Sequence, residues 1–207
     1  MNNKDQYDYD RDSDGVRKHK QEVSSFNMHD SELVFKALNL RKGDYFLDLG
    51  CGAGDYSVRA AKDVGELGMV YALDRWSEVT DKFTEKINAQ GITNINVMAC
   101  DILQSLPIKS DNIDVCLLAT VLHIPNIARA AKELFAEISR VLKAGGRLVI
   151  IEIKKEEMSF GPPLNMRLSQ EEVKDLIVPH GFEKDVVIDL GCNYMVQFCS
   201  GGAKWRK

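Results

Sequence analysis

The chain has 207 residues, 44% of them hydrophobic, with 27 Lys and Arg against 31 Asp and Glu and a formal net charge of −4. That length carries one substantial core and excludes a second full domain. A net-acidic chain has no global field to gather phosphates, so a small-molecule partner is expected and nucleic acid is disfavoured.

No apolar run reaches the roughly 18 residues of a membrane span, and the polar stretch Met1–Lys20 is unlike a signal peptide, so the chain reads as cytoplasmic with no membrane span. Residues 1–23, rich in Asp, Lys, Asn and Tyr, read as a mobile arm, residues 24–200 as the folded domain and residues 201–207 as a tail. Cys51, Cys100, Cys116, Cys192 and Cys199 lack the C-x2-C or C-x4-C spacing of a zinc site and read as reduced, mostly buried thiols, with no metal expected.

In chain order, Ser31 is placed to cap a short helix carrying the apolar stripe Leu33, Val34, Ala37, Leu38 and Leu40. Apolar and helical patterns then alternate. Strands are expected at Tyr45–Leu49, Met69–Leu73, Ile95–Ala99, Ile113–Ala119 and Arg147–Ile153, with helices at Tyr56–Val64, Glu78–Gln90 and Ile127–Leu142 between them. Five strands joined by helical crossovers predict an α/β fold with a doubly wound, mostly parallel sheet. A helix from Ser169 to Val178 and a hairpin of Val186–Leu190 and Tyr194–Cys199 around Gly191-Cys192-Asn193 close the pattern.

The chemistry-bearing segment is Asp48-Leu49-Gly50-Cys51-Gly52-Ala53-Gly54, between the first strand and its helix, where glycines let a ligand approach the backbone. A dinucleotide fingerprint needs glycine at position 55. This chain has Asp55, whose carboxylate would repel a pyrophosphate at the helix start, so a nicotinamide cofactor is disfavoured.

The Asp48 start and the G-x-G-x-G spacing resemble motif I of the class I S-adenosylmethionine-dependent methyltransferases. Asp74, ending Val70-Tyr71-Ala72-Leu73-Asp74 about twenty residues on, stands where that family holds the ribose hydroxyls. Asp101 and Ile102, in Ala99-Cys100-Asp101-Ile102, match its adenine contact, and Leu142-Lys143-Ala144-Gly145-Gly146 matches its turn before the fifth strand. The resemblance covers roughly Leu33–Cys199. It implies a Rossmann-like seven-stranded sheet with a C-terminal antiparallel hairpin, and S-adenosylmethionine as cofactor with S-adenosylhomocysteine as product. The residues it assigns to the cofactor are Asp48, Gly50, Cys51, Gly52, Gly54, Asp74, Arg75, Asp101, Ile102 and Ala119.

Within the family the chain is most similar to the small-molecule branch containing ubiquinone/menaquinone-biosynthesis and arsenite methyltransferases. It has Ala119-Thr120-Val121-Leu122 in place of the N-P-P-Y or D-P-P-Y of adenine and glutamine-amide methyltransferases. Arsenite ranks low, because Cys51, Cys100 and Cys116 are taken by motif or strand positions.

Several residues keep two readings. His123, after the fourth strand, is a candidate general base or a packed histidine. Asp114 is read as a structural partner ahead of a cofactor contact. Trp76 either covers the core or stacks on the cofactor. Met158, Phe160, Pro162, Pro163, Leu164 and Met166 line an apolar acceptor pocket or pack over the sheet, with Arg167 a candidate for an acidic substrate group. Against a small-molecule methyltransferase stand a protein or RNA methyltransferase, supported by Arg17, Lys18 and Lys20, and a non-catalytic cofactor-binding protein.

Overall fold

The computed structural model describes residues 24–201. After a 3-10 turn, Ser25–Met28, the elements are α1 (Ser31–Leu38), β1 (Tyr45–Leu49), α2 (Asp55–Val64), β2 (Met69–Asp74), α3 (Ser77–Ala89), β3 (Ile95–Ala99), β4 (Ile113–Ala119), α4 (Pro125–Arg129), α5 (Ala131–Val141), β5 (Leu142–Ile153), α6 (Gln170–Ile177), β6 (Phe182–Leu190) and β7 (Asn193–Ser200). The seven strands form one sheet in the order β3-β2-β1-β4-β5-β7-β6. The first five run parallel, and β7 pairs antiparallel with both β5 and β6.

Side-chain alternation divides the core in two. Phe46, Val70, Ala72, Val115, Leu117, Val149, Ile151 and Met195 face α1, α2 and α3. Leu47, Leu49, Leu73, Cys116, Leu118, Leu148, Ile150 and Val196 face α5 and α6. With both faces covered, the central strands are apolar on both sides, which is why they read as continuous hydrophobic runs.

The parallel register brings the carboxyl ends together: Leu49 opposes Leu73, Asp74 opposes Ala99, and Ala119 opposes Ile151. Because β7 is reversed, its first residue, Asn193, reaches the same edge opposite Ile153. The loops that follow the parallel strands gather at this edge, which is where open α/β sheets take ligands.

Local chemistry moves several boundaries. Asp30, one residue before the expected Ser31, caps α1 by accepting the N–H groups of Glu32 and Leu33 at 2.9 and 3.3 Å. The helix closes at Asn39, in the left-handed region, ahead of the expected Lys42-Gly43. The helix expected over 127–142 is interrupted at Ala130, giving a short α4 opened by Pro125 and a separate α5. The Lys143–Gly146 turn lies inside β5 as a register shift, where Gly145 takes a positive φ. Ser169 caps α6 in a reciprocal capping box with Glu172.

Asp114 has the structural role expected for it. At the amino end of β4, its Oδ2 accepts the Tyr45 N–H at 2.8 Å and the Lys143 ammonium at 2.6 Å, joining β1 to the β5 turn far from the glycine loop. Asp114→Ala strands the Tyr45 N–H, so denaturant titration is expected to show a loss of about 1–3 kcal/mol, with ligand affinity at the opposite edge unchanged.

Candidate functional site

The glycine loop is held by one carbonyl. The Leu73 oxygen, at the end of β2, accepts the N–H groups of Gly50 and Cys51 at 2.8 and 3.0 Å, and the turn is tightened by the Gly54 N–H to the Cys51 carbonyl at 2.9 Å. Gly50, Gly52 and Gly54 all take positive φ, a conformation costly for other residues. At Gly54 a side chain would also overlap the Phe83 ring of α3, whereas Gly52 opens onto space with no atom within 4 Å of where a Cβ would stand. The loop is thus closed behind and open at Gly52.

Asp74 faces that opening. One oxygen accepts the Gly52 N–H at 3.1 Å and the other the Trp76 N–H at 3.1 Å, fixing the carboxylate across the loop. A carboxylate offers about four acceptor positions, so two remain for a ligand diol. Arg75 is exposed and lays its guanidinium over the Trp76 ring at 4.8 Å. Asp101 is exposed and bends the chain by accepting the Leu103 N–H at 3.1 Å, while Ile102 beside it is buried. Ala119 ends β4 at the same edge. Asp55, at the position where the dinucleotide motif requires glycine, pairs with Lys86 at 3.0 Å, so the start of α2 already carries a carboxylate.

Behind the loop, Asp48 is only 1% exposed and accepts the Ser57 hydroxyl at 2.6 Å. Burial, reinforced by the charges of Asp74 and Asp55, pushes its carboxyl up to about 7 against the Ser57 bond. Burial likewise raises the Cys51 thiol well above its ordinary value, in keeping with a small packed residue and not a nucleophile.

At the other side of the edge stands His123. Its Nδ1 lies 2.8 Å from Glu152 Oε2, and its backbone N–H donates to Glu152 Oε1 at 3.2 Å. Glu152 is 0% exposed. The turn carrying His123 leaves β4 through Thr120, a β-branched residue held at φ +56°, where strain marks an over-determined turn. Glu152 was signalled by an acid inside the apolar run Val149-Ile150-Ile151-Glu152-Ile153, although its partner was not.

The segment 24–30 straps the edge. His29 Nε2 lies 3.0 Å from the Tyr56 hydroxyl on α2, and His29 Nδ1 lies 3.0 Å from the Asn193 amide on β7. Tyr56 also bonds Ser25 at 3.2 Å and meets Phe26 edge-on at 5.1 Å. Nothing local in the sequence announces a pairing across 164 positions. Burial holds the His29 imidazole below its usual range, partly offset by Asp30.

Arg167 does not present a charge to a ligand. It is 3% exposed, and its guanidinium bonds the carbonyls of Pro162 and Phe160 at 2.7 Å each, with further bonds to those of Lys154 and Glu156. It shapes the loop after β5, on which Phe160 and Leu164 are exposed. The basic trio Arg17, Lys18 and Lys20 lies outside the described residues, as does the arm of residues 1–23.

Residues 40–180 match a family model described as a methyltransferase domain. The chain belongs to the S-adenosylmethionine-dependent methyltransferases. It is 31% identical over 142 residues to a demethylmenaquinone methyltransferase of Geobacillus kaustophilus, covering 67% of this chain and 58% of that one. A demethylmenaquinone methyltransferase of Lactobacillus johnsonii is 32% identical over 119 residues, 57% of this chain and 47% of its own. The chain therefore spans about half the length of the curated relatives it matches. A crystal structure of a SAM-dependent methyltransferase from Aquifex aeolicus superposes with a TM-score of 0.79 at 30% identity, covering 87% of this chain and 94% of that one. The sheet is the seven-stranded, mostly parallel one expected, with β7 as the reversed strand between β5 and β6.

Two outcomes test the site. Because the native state holds the Asp48 proton up to about pH 7, the contribution of Asp48 to stability falls as pH rises from about 4 through 7 and is then level. Asp48→Asn removes that dependence, so thermal melts should show its advantage over wild type growing across this window, by up to about 4 kcal/mol at pH 8. For His29 the sign is opposite: the native state favours the neutral ring, so the strap's contribution is present above pH 6.5 and lost as pH falls below it. Hydrogen exchange, corrected for intrinsic rates, should show amides 26–30 losing protection between pH 7.5 and 5.5. His29→Ala should lose about tenfold protection already at pH 7.5, the value of one to two hydrogen bonds.

Proposed function

We propose that the chain transfers the methyl group of S-adenosylmethionine to a small-molecule acceptor. The observation that carries this reading is the Asp74 carboxylate, pinned by Gly52 and Trp76 with acceptor capacity left over, beside a loop that is open at Gly52. Those features fit an adenosyl ligand: Asp74 would hold the ribose hydroxyls, Asp101 and the Ile102 N–H the adenine, and Asp48 with Gly50–Gly54 and Ala119 would flank the amino acid end. Arg75 borders the ribose side.

When bound, the ligand supplies an activated methyl group on a sulfonium. The protein's own tasks are to hold donor and acceptor in line and to exclude water. The curated relatives, demethylmenaquinone methyltransferases by name, favour an apolar, quinone-type acceptor, and the exposed Phe160 and Leu164 at the same edge suit one. A cytoplasmic setting agrees with five cysteines that form no disulfide among the described residues.

Calorimetric titration with S-adenosylmethionine and S-adenosylhomocysteine should give saturable binding, with none for NAD. Asp74→Ala and Asp101→Ala should each weaken it at least tenfold, about 1.4 kcal/mol. Binding of NAD in preference to the adenosyl ligands would overturn the reading.

A further inference from the structure

We infer that Asn193 is a specificity-determining residue for the methyl acceptor: its buried amide oxygen takes a hydrogen bond from a neutral O–H or N–H group on that molecule, remote from the methylated atom. This inference rests on the donor reading above and concerns the acceptor side of the same site.

Asn193 stands at the carboxyl edge opposite Ile153, and strand alternation puts its side chain on the face that holds Met195 and Tyr56. It is 0% exposed. Its Nδ2 donates to His29 Nδ1 at 3.0 Å, whereas its Oδ1 has no hydrogen-bond partner among the described residues. Buried side-chain oxygens are seldom left so, because giving up water without a replacement is costly. The other such atom among the described residues, Gln197 Oε1, lies opposite Val149, inside the sheet and away from the edge.

The neighbours of the amide set its direction. Burial holds the His29 ring below its usual range and so keeps it neutral. Nδ1 then accepts from Asn193, and Nε2 carries the hydrogen toward the Tyr56 hydroxyl at 3.0 Å. Turning the amide over would strand its NH2 group instead, and buried donors are orphaned less often than carbonyl oxygens. An oxygen presented in this way accepts and cannot donate, so a ring carbonyl, an ether or a thioether of the ligand is left to other parts of the site. The matching donor is neutral, because His29, Tyr56 and Ser25 offer no countercharge for an ammonium. The nearby carboxylate, Asp30, is exposed and engaged in capping α1.

Position adds a length. β5 separates β4 from β7, so Asn193 lies two strand spacings, roughly 10 Å, from the end of β4, where Ala119 flanks the amino acid end of the donor in the proposed reading. The group held by Asn193 is therefore a handle at the far side of the acceptor. Access runs beneath the strap: His29 joins α2 to β7 across the ends of β4 and β5, and Oδ1 opens to a ligand when residues 24–30 lift.

The test uses the full chain saturated with S-adenosylhomocysteine. Indole is the probe, with one N–H donor on an apolar ring, and N-methylindole is its counterpart without that donor. Calorimetry is expected to show indole bound about fivefold more tightly, the value of one hydrogen bond. In the wild-type chain the N–H proton of bound indole should cross-relax with the side-chain protons of Asn193 and His29, a measurement independent of any variant. Asn193→Leu should bring the two probes within about twofold of each other, with S-adenosylhomocysteine affinity also within about twofold of wild type. A residue that only fastened the strap would, on replacement, speed amide exchange at 26–30 and leave the probe ratio where it was. Equal binding of the two probes, no saturable binding of indole, or a preference that survives Asn193→Leu would overturn the inference while leaving the donor reading intact. Failure of both adenosyl ligands to bind would overturn the two together.

Discussion

The structure depends on register. Parallel pairing aligns the ends of β1, β2, β3, β4 and β5, so every residue that follows a strand emerges at one edge. Pairing also lets the Leu73 carbonyl at the end of β2 accept two N–H groups from the loop after β1, so the backbone of one strand shapes the loop of its neighbour. A one-residue slip would turn Asp74 toward the opposite face of the sheet and release the glycine loop together.

The edge is also where polar groups are buried. Asp48, Glu152 and Asn193 are all nearly or fully inaccessible, and each has a partner supplied by a different element: Ser57 from α2, His123 from the turn after β4, His29 from the strap. Buried polar groups of this kind hold an arrangement in place because moving any one of them leaves another unpaired. The apolar faces of the sheet supply most of the folding free energy, and these three pairings fix where the surrounding loops sit.

Much of this was legible in the sequence because the signals were local. The strands β1, β3 and β4 begin and end where apolar periodicity placed them, and the glycine loop, Asp74 and Asp101 follow from short motifs with known spacing. What was not legible depends on pairing between distant segments. The break at Ala130 and the bulge at Gly145 arise where a helix and a strand must reach the sheet at particular positions, which periodicity does not encode. The His29 strap joins residues 164 positions apart. Arg167 looked like a ligand for an acidic substrate because a lone arginine in an apolar loop carries no sign of the carbonyls that will surround it.

That last arrangement bears on how such a protein diversifies. Arg167 grips only main-chain oxygens of residues 154–162, and main-chain oxygens are the same whatever the side chains. Met158, Phe160 and Leu164 are therefore free to change without unravelling the loop that displays them. A chain with this clamp can change by point substitution the side chains it displays beside the glycine loop, with the backbone that carries them left in place.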